Sequence, residues 1–488
     1  MRDCDLVLGV DRNRGVDAIF VNSPLKNYDL APRYNDYTLP VLGLAYIATY
    51  ARAQGFNVGV LDAEALGLGI SRVSTIINDL HPRWVGLNLL APTYRYSVAI
   101  LRLVDPEIQV LLGGHHAKAM PQEILHDPDI LRIDALVLGE GEYRVAALLE
   151  DTGRRATLPQ VFWRDRTGIQ VGAMSADRTW LAPDIDTLPF VARDLLKQDP
   201  FLAADGRTEA NLVGSRGCPY DCSFCGAARS ANPDVAVRTR HPENLLAEME
   251  ALAHDAGVTA FRFVDDLFLA KPAFMRECLP LFITHGTGER FVWDATGRIN
   301  TLSAVPDDLL ALMRESGCRE VALGIESGSD RVLRYMDKHI TAAMARRAVQ
   351  RLTERGINVK GYFILGYPTE TRAEMQASLD LIRELWTVTD HTPGSFRCSA
   401  FEFRPYPGTP EWQRLIASGY RPEELLQYEH ADLTRGGHHL LERDEFNFSV
   451  NRQFGEATVA EVRGALTSVM AEQKDRLPQQ DHVQRLAG

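Results

Sequence analysis

Three of the chain's seven cysteines stand close together, in the run Gly217-Cys218-Pro219-Tyr220-Asp221-Cys222-Ser223-Phe224-Cys225-Gly226. Thiolates at this spacing can hold three irons of a 4Fe–4S cube and leave the fourth iron open to a substrate or cofactor. A structural zinc site would want four Cys/His ligands in two pairs, and the sequence has no second Cys-x-x-Cys. Cys4, Cys278, Cys318 and Cys398 are scattered singly and read as small buried hydrophobes. So sparse a set in so long a chain is not a disulfide framework.

Such a loop needs a scaffold. A length of 488 residues allows two to four domains, each with its own core. Over the first ~150 residues, strands are expected at 16–22, 57–62, 84–90, 108–113 and 135–139. Helices are expected at 41–54, 70–80, 96–104, 121–126 and 143–150. Near-continuous apolar strands between amphipathic helices indicate a doubly wound, Rossmann-like parallel sheet. Its ligands should bind at the carboxyl ends of the strands, on loops 23–39, 91–96, 113–119 and 139–142. Residues 160–172 read as a hairpin turning at Asp165-Arg166-Thr167-Gly168, and 180–196 as an extended strap. From ~209 the alternation resumes, with strands at 210–215, 260–264, 291–295, 320–324, 359–365 and 399–403. Helices fit 242–256, 272–284, 306–315, 329–355 (broken near His339) and 372–386, and a mostly polar, helical tail follows. The expected division is a Rossmann-like domain (1–152), a hairpin and linker strap (153–205), a barrel (206–412) and a helical C-terminal region (413–488).

No apolar run is long enough to span a bilayer, and the acidic N-terminus lacks a signal peptide's apolar core. A cytoplasmic location is therefore expected, where reductants protect iron–sulfur chemistry. The net charge of −12 argues against nucleic acid and is compatible with a cationic substrate such as an amino sugar.

The Cys-x-x-x-Cys-x-x-Cys run resembles that of the radical S-adenosylmethionine (SAM) superfamily. That likeness implies SAM bound at the open iron and cleaved by one electron to a 5′-deoxyadenosyl radical. It also implies a partial, open (β/α)6 barrel with its chemistry at the strand ends. Those ends follow family style. Phe224 would pack by adenine, and Asp265 and Asp266 would receive the methionyl amine. Arg298 would pair with the SAM carboxylate or a substrate oxygen. Glu326 and Ser327 would reach the ribose or amine, and Ile364 and Gly366 the adenine. Thr369 stands where relatives carry a second glycine. Glu402, Arg404, Tyr406 and Asp294 are candidates for substrate contact or acid/base work.

The N-terminal domain is similar to the cobalamin-binding domain that precedes many radical SAM methylases. The likeness lies in Leu42-Gly43-Leu44-Ala45-Tyr46, Gly113-Gly114-His115-His116-Ala117 and Leu138-Gly139-Glu140-Gly141-Glu142. It makes Gly43, Gly113, Gly114, His116, Gly139 and Gly141 candidates for contact with the corrin or its tail. The Asp-x-His-x-x-Gly run that supplies a lower cobalt ligand elsewhere is absent, so cobalamin would bind without one, or the domain would be a relic. The outcome expected first is cobalamin-dependent methylation of an sp3 carbon in a small secondary-metabolite substrate, as in antibiotic biosynthesis. The alternative is cobalamin-independent radical dehydration of an aminoglycoside or amino sugar. Either needs an external reductant of flavodoxin or ferredoxin type.

Overall fold

The computed structural model describes residues 3–33, 38–174, 177–203, 205–430 and 448–476. The first sheet contains β1 (Ala18–Asn22), β2 (Val58–Asp62), β3 (Trp84–Asn88), β4 (Gln109–Gly113), β5 (Ile133–Val137), β6 (Val161–Asp165) and β7 (Gly168–Val171). Their order is β2-β1-β3-β4-β5-β6-β7, with the first five strands parallel. Successive side chains go to opposite faces of a strand, and here both faces are buried. Val21, Leu61, Leu87 and Leu112 pack toward helix Ile70–Leu80, while Phe20, Val60, Leu111 and Val137 pack toward helices Leu42–Ala53 and Glu142–Glu150. This is the expected doubly wound architecture, with its switch point between β1 and β3.

The hairpin expected in the linker forms, but as part of this sheet, since β6 pairs antiparallel with β5. It covers backbone groups that the outer edge of β5 would otherwise leave unpaired. Two short helices in this domain, Ala63–Leu66 and His115–Ala119, had no sequence signal.

The second sheet is a curled half-barrel. It contains β8 (Phe201–Leu202), β9 (Thr208–Leu212), β12 (Ala260–Phe263), β13 (Val292–Gly297), β14 (Cys318–Glu326), β15 (Asn358–Leu365) and β16 (Phe396–Glu402). A separate ribbon of β10 (Ser215–Arg216) and β11 (Arg238–Thr239) closes the base of the cysteine loop. The order is β16-β15-β14-β13-β12-β9-β8, six parallel strands with β8 antiparallel on β9. The helix expected over 329–355, with a break near His339, forms as two helices, Asp330–Tyr335 and Ala342–Glu354. Asp337 and His339, both at positive φ, turn the chain between them.

Two features close the half-barrel. At its floor, Arg319 meets Glu209 at 2.8 Å and Asp294 at 2.5 Å, and Arg397 pairs with Glu320 at 2.5 Å. At the open edge lies helix Val459–Arg476, in the region expected to be helical. Its Gln473 amide accepts from the Cys398 N–H at 2.6 Å and donates to the Cys398 carbonyl at 3.2 Å, standing in for a neighbouring strand on β16. Residues 431–447 and 477–488 of the expected tail lie outside the described residues.

Candidate active site

The cysteine loop hangs between two anchors. At its base, the β10–β11 ribbon pairs Ser215 with Thr239 and Arg216 with Arg238. At its tip, Ser223 is fully buried. Its N–H donates to the Met336 carbonyl at 2.9 Å and its carbonyl accepts from the Glu411 N–H at 2.8 Å. Its hydroxyl lies 2.8 Å from the Tyr367 hydroxyl, which donates to Glu411 at 3.0 Å. Burial pushes the Cys225 thiol up to about 12 and raises the Cys218 thiol, and in both the neighbouring Cys222 adds to the effect. Thiols so placed are poor acids until a cation arrives to stabilise their charge. Among the described residues, no three Cys, His, Asp or Glu side chains converge on one ion site. A cube makes no such demand, because its three thiolates bind three different irons. The donor set therefore fits a 4Fe–4S cluster.

Around this loop the expected SAM residues divide into two groups. Phe224 meets Tyr367 edge to face, with centroids 6.3 Å apart, and has the Lys338 ammonium over its ring. Lys338 is buried and pairs with Glu326 at 2.6 Å. Glu326 follows a register shift in β14 and sits at φ +66, a left-handed conformation costly for a side chain with a Cβ. Gly324 makes room for the pair, since a Cβ there would lie 2.2 Å from the Glu326 carboxylate. Ile364 packs with Tyr367 and Phe403, and the Gly366 N–H donates to Glu370 at 2.7 Å. Arg298 lies beneath the loop, where Nη1 donates to the Cys222 sulfur at 3.4 Å.

Other expected contacts point elsewhere. Asp265 is buried and accepts from the Gly214 N–H at 2.7 Å and the Ser215 hydroxyl at 3.1 Å, so it fixes the turn out of β9. Its burial holds its carboxyl up at about 7. Ser327 is buried on the outer side, 3.2 Å from the Ser378 hydroxyl of helix Arg372–Thr389. Asp294 belongs to the floor network. Glu402 contacts Ser449 and Arg463, the Arg404 Nε donates to the Phe448 carbonyl at 2.7 Å, and Tyr406 stacks near Tyr428. These three share one end of the sheet, against the C-terminal segment.

The strand ends of the first sheet face the mouth of the second. Glu140 reaches both arginines of the ribbon, Arg216 at 2.6 Å and Arg238 still closer, while Glu142 meets Arg216 at 2.7 Å. Lys118 pairs with Asp234 at 2.6 Å, and the Arg216 guanidinium lies over the Tyr46 ring. Beside these contacts, His115 from the first domain and Asp266 beyond the end of β12 are both exposed and lie within electrostatic reach of each other across the junction. Protein nonetheless surrounds them closely enough that desolvation lowers the imidazole pKa and raises that of the carboxyl, and the charges of the two groups oppose those shifts.

Gly114 (φ +97) packs against Asn88 and Leu89, where a side chain would collide, and Gly139 (φ +88) turns the chain toward Asp234. Gly141 abuts Ile47, Gly113 is near the Val137 carbonyl, and Gly43 is exposed with open space where a Cβ would project. His116 is buried against Tyr94, with Nδ1 unpartnered, and desolvation lowers its pKa to about 4. A glycine-lined set of strand ends and an unpartnered buried imidazole nitrogen fit a bulky planar cofactor. Residues 34–37 of the loop after β1 lie outside the described residues.

Sequence reasoning singled out neither Lys338, Ser223, Tyr367, Glu411, Arg216 nor His115 as a site residue. Each acquires its place through partners tens of residues away, and only His115, inside the Gly-Gly-His-His run, had a local signal.

Comparison with known proteins agrees with this geometry. Residues 212–382 match the Radical SAM superfamily and residues 35–149 the B12 binding domain. An uncharacterized methyltransferase of Pyrococcus horikoshii is 30% identical over 389 residues, covering 78% of this chain and 79% of that protein. The cytidylyl-2-hydroxyethylphosphonate methyltransferase of Streptomyces wedmorensis is 26% identical over 442 residues, 79% of each chain. Among solved structures, the radical SAM methyltransferase TsrM from Kitasatospora setae superposes with a TM-score of 0.61 at 19% identity, over 82% of this chain and 76% of that one. The cobalamin-dependent radical enzyme OxsB superposes with a TM-score of 0.60 at 15% identity, over 93% of this chain and 66% of that one. This chain belongs to the radical SAM superfamily of enzymes, in the branch that carries a B12-binding domain ahead of the barrel.

Proposed function

We propose that this enzyme methylates an sp3 carbon of a small molecule, with a 4Fe–4S cluster, SAM and cobalamin as cofactors. The observation that carries the reading is the junction of the two domains, where the B12-domain strand ends and the cysteine loop are fixed to each other by Glu140, Glu142 and Lys118. When bound, the cofactors supply a substrate radical and a methyl group to quench it. The protein's part is to bring these sites together.

Cys218, Cys222 and Cys225 would hold the cluster, and the Glu326–Lys338 pair, Phe224, Ile364 and Gly366 would form the SAM side of the mouth. Asp266, exposed at this junction, would receive a cationic group, either the methionyl amine or a substrate amine. Gly43, Gly113, Gly114, Gly139 and Gly141 would frame the cobalamin side. His116, neutral and buried, would support that frame by packing, while His115 is exposed at the junction. The partners we propose are a small-molecule substrate, for which a cationic amino sugar suits the acidic balance, and a flavodoxin- or ferredoxin-type reductant. The methyltransferase relatives weigh toward methylation over radical dehydration.

The test is anaerobic reconstitution with cobalamin, SAM and reductant against a panel of secondary-metabolite substrates. Methylation yields S-adenosylhomocysteine together with 5′-deoxyadenosine. Formation of 5′-deoxyadenosine alone, by protein that retains no cobalamin, would overturn the methylation reading. Cys222→Ala is expected to abolish both cluster absorbance and SAM cleavage, and retained turnover would sink the radical reading altogether.

A further inference from the structure

We infer that Arg298 sets the reduction potential of the cluster, acting on the Cys222 sulfur as hydrogen-bond donor and as the buried counter-charge of the three thiolates. The inference rests on the reading that Cys218, Cys222 and Cys225 hold a 4Fe–4S cluster, and it assigns Arg298 a role other than grasping the SAM carboxylate.

Three observations lead there. The first is the direction of the donors. Nη1 donates to the Cys222 sulfur at 3.4 Å, and Nη2 donates to the Lys338 carbonyl at 2.5 Å. The guanidinium lies on the face of Tyr220, 3.4 Å from the ring centroid, and Nε is buried without a partner. Tyr220 belongs to the cysteine loop itself, and its hydroxyl accepts from the Asn300 amide at 3.2 Å. The loop thus wraps the arginine and orients its planar fork toward sulfur.

The second observation is charge. Arg298 is only 6% exposed, and no carboxylate of the described residues forms an ion pair with it. A buried cation with no counter-ion is costly, and proteins avoid it. Lys338, a second cation beside the loop, is already neutralised by Glu326 at 2.6 Å. Among the described residues Arg298 is thus a buried positive charge with no carboxylate partner, and Nη1 faces a cysteine sulfur.

The third observation is enclosure. Cys222 is itself only 6% exposed, so its contact with the guanidinium is shielded from water, where a hydrogen bond from a charged donor counts for more. A hydrogen bond to a ligand sulfur and a fixed positive charge both favour the reduced, more negative state of an iron–sulfur centre, and so raise its potential.

The experiment uses the full-length chain, reconstituted anaerobically as wild type, Arg298→Lys, Arg298→Gln and Tyr220→Leu. Midpoint potentials are read by EPR-monitored redox titration without SAM, and SAM affinity is read separately by equilibrium dialysis. The expected result is a midpoint more negative in Arg298→Gln than in wild type, with Arg298→Lys and Tyr220→Leu between them. Iron content stays at the wild-type level and SAM affinity changes less than twofold. An unchanged midpoint in Arg298→Gln overturns the inference, and a tenfold loss of SAM affinity beside it returns Arg298 to the carboxylate. Should Arg298→Gln not hold iron, ENDOR on the reduced wild-type cluster decides. An exchangeable proton coupled to the cluster and altered in Arg298→Lys supports the inference, and its absence overturns it. Failure of the wild type itself to take up iron and show a 4Fe–4S signal would instead refute the cluster reading.

Discussion

At the scale of single residues, Glu326 combines a strained backbone with a buried charge. Its left-handed φ of +66 and its 2.6 Å pair with Lys338 are both costly to arrange, and such cost is retained where a side chain must be aimed. Glu326→Gln keeps the shape and removes the charge. It is expected to weaken SAM binding to the cluster-loaded enzyme by about tenfold, or about 1.4 kcal/mol, read by equilibrium dialysis. Unchanged affinity would make the pair purely architectural. Asp265 permits a pH prediction. Desolvation raises its carboxyl from 3.8 to about 7 despite the donors around it, so the folded state holds the proton more tightly than the unfolded one. That stability is fully present below about pH 4 and is lost as pH rises through 7. Between pH 5 and pH 8 the Tm of the wild-type apoprotein should therefore fall more steeply than that of Asp265→Asn, and parallel profiles would refute this assignment.

At the scale of elements, the cysteine loop is rigid at both ends for different reasons. Its base is a two-stranded ribbon tied to another domain, and its tip is held through Ser223 by residues from around Met336, Tyr367 and Glu411. The half-barrel's exposed edge is managed by a side chain. Gln473 satisfies both backbone groups of Cys398, while Val462, Leu466, Val469 and Met470 of the same helix join the barrel core. Gln473→Ala leaves those two groups unpaired and should destabilise the protein by about 2 kcal/mol, seen as a lower midpoint in thermal or urea unfolding. An unaltered midpoint would mean that the apolar face of the helix alone seals the edge.

At the scale of the whole molecule, the B12-binding domain and the barrel are joined through the loops that should carry their cofactors. Glu140 lies between Gly139 and Gly141 and holds both arginines of the ribbon beneath the cysteine loop. Glu140→Ala is expected to leave cluster assembly and SAM cleavage in place while loosening the alignment of the two sites. The measurement is the ratio of 5′-deoxyadenosine to methylated product, which should rise several-fold. A ratio equal to that of the wild type would show that the interface tolerates the loss. No helix among the described residues is long and apolar enough to cross a membrane.

The sequence by itself determined the parts that depend on near neighbours in the chain. The three cysteines, the alternation that makes two α/β domains, and several helices to their bounds (Ile70–Leu80, Pro242–Ala256 and Pro272–Thr284) follow from local spacing, capping and periodicity. Tertiary structure decided what each charged strand-end residue faces. Asp265 and Asp266 are adjacent, yet one is buried in a turn and the other is exposed at the domain junction, because successive residues leaving a strand point to opposite sides. Asp294 sits on the floor and Arg298 at the mouth of the same β13 strand and its exit, a difference set by how far along the barrel each falls. The partners that give Arg298, Lys338 and Glu140 their roles lie 12 to 98 residues away. Contacts across such separations exist only after the sheets have curled and the two domains have closed on each other.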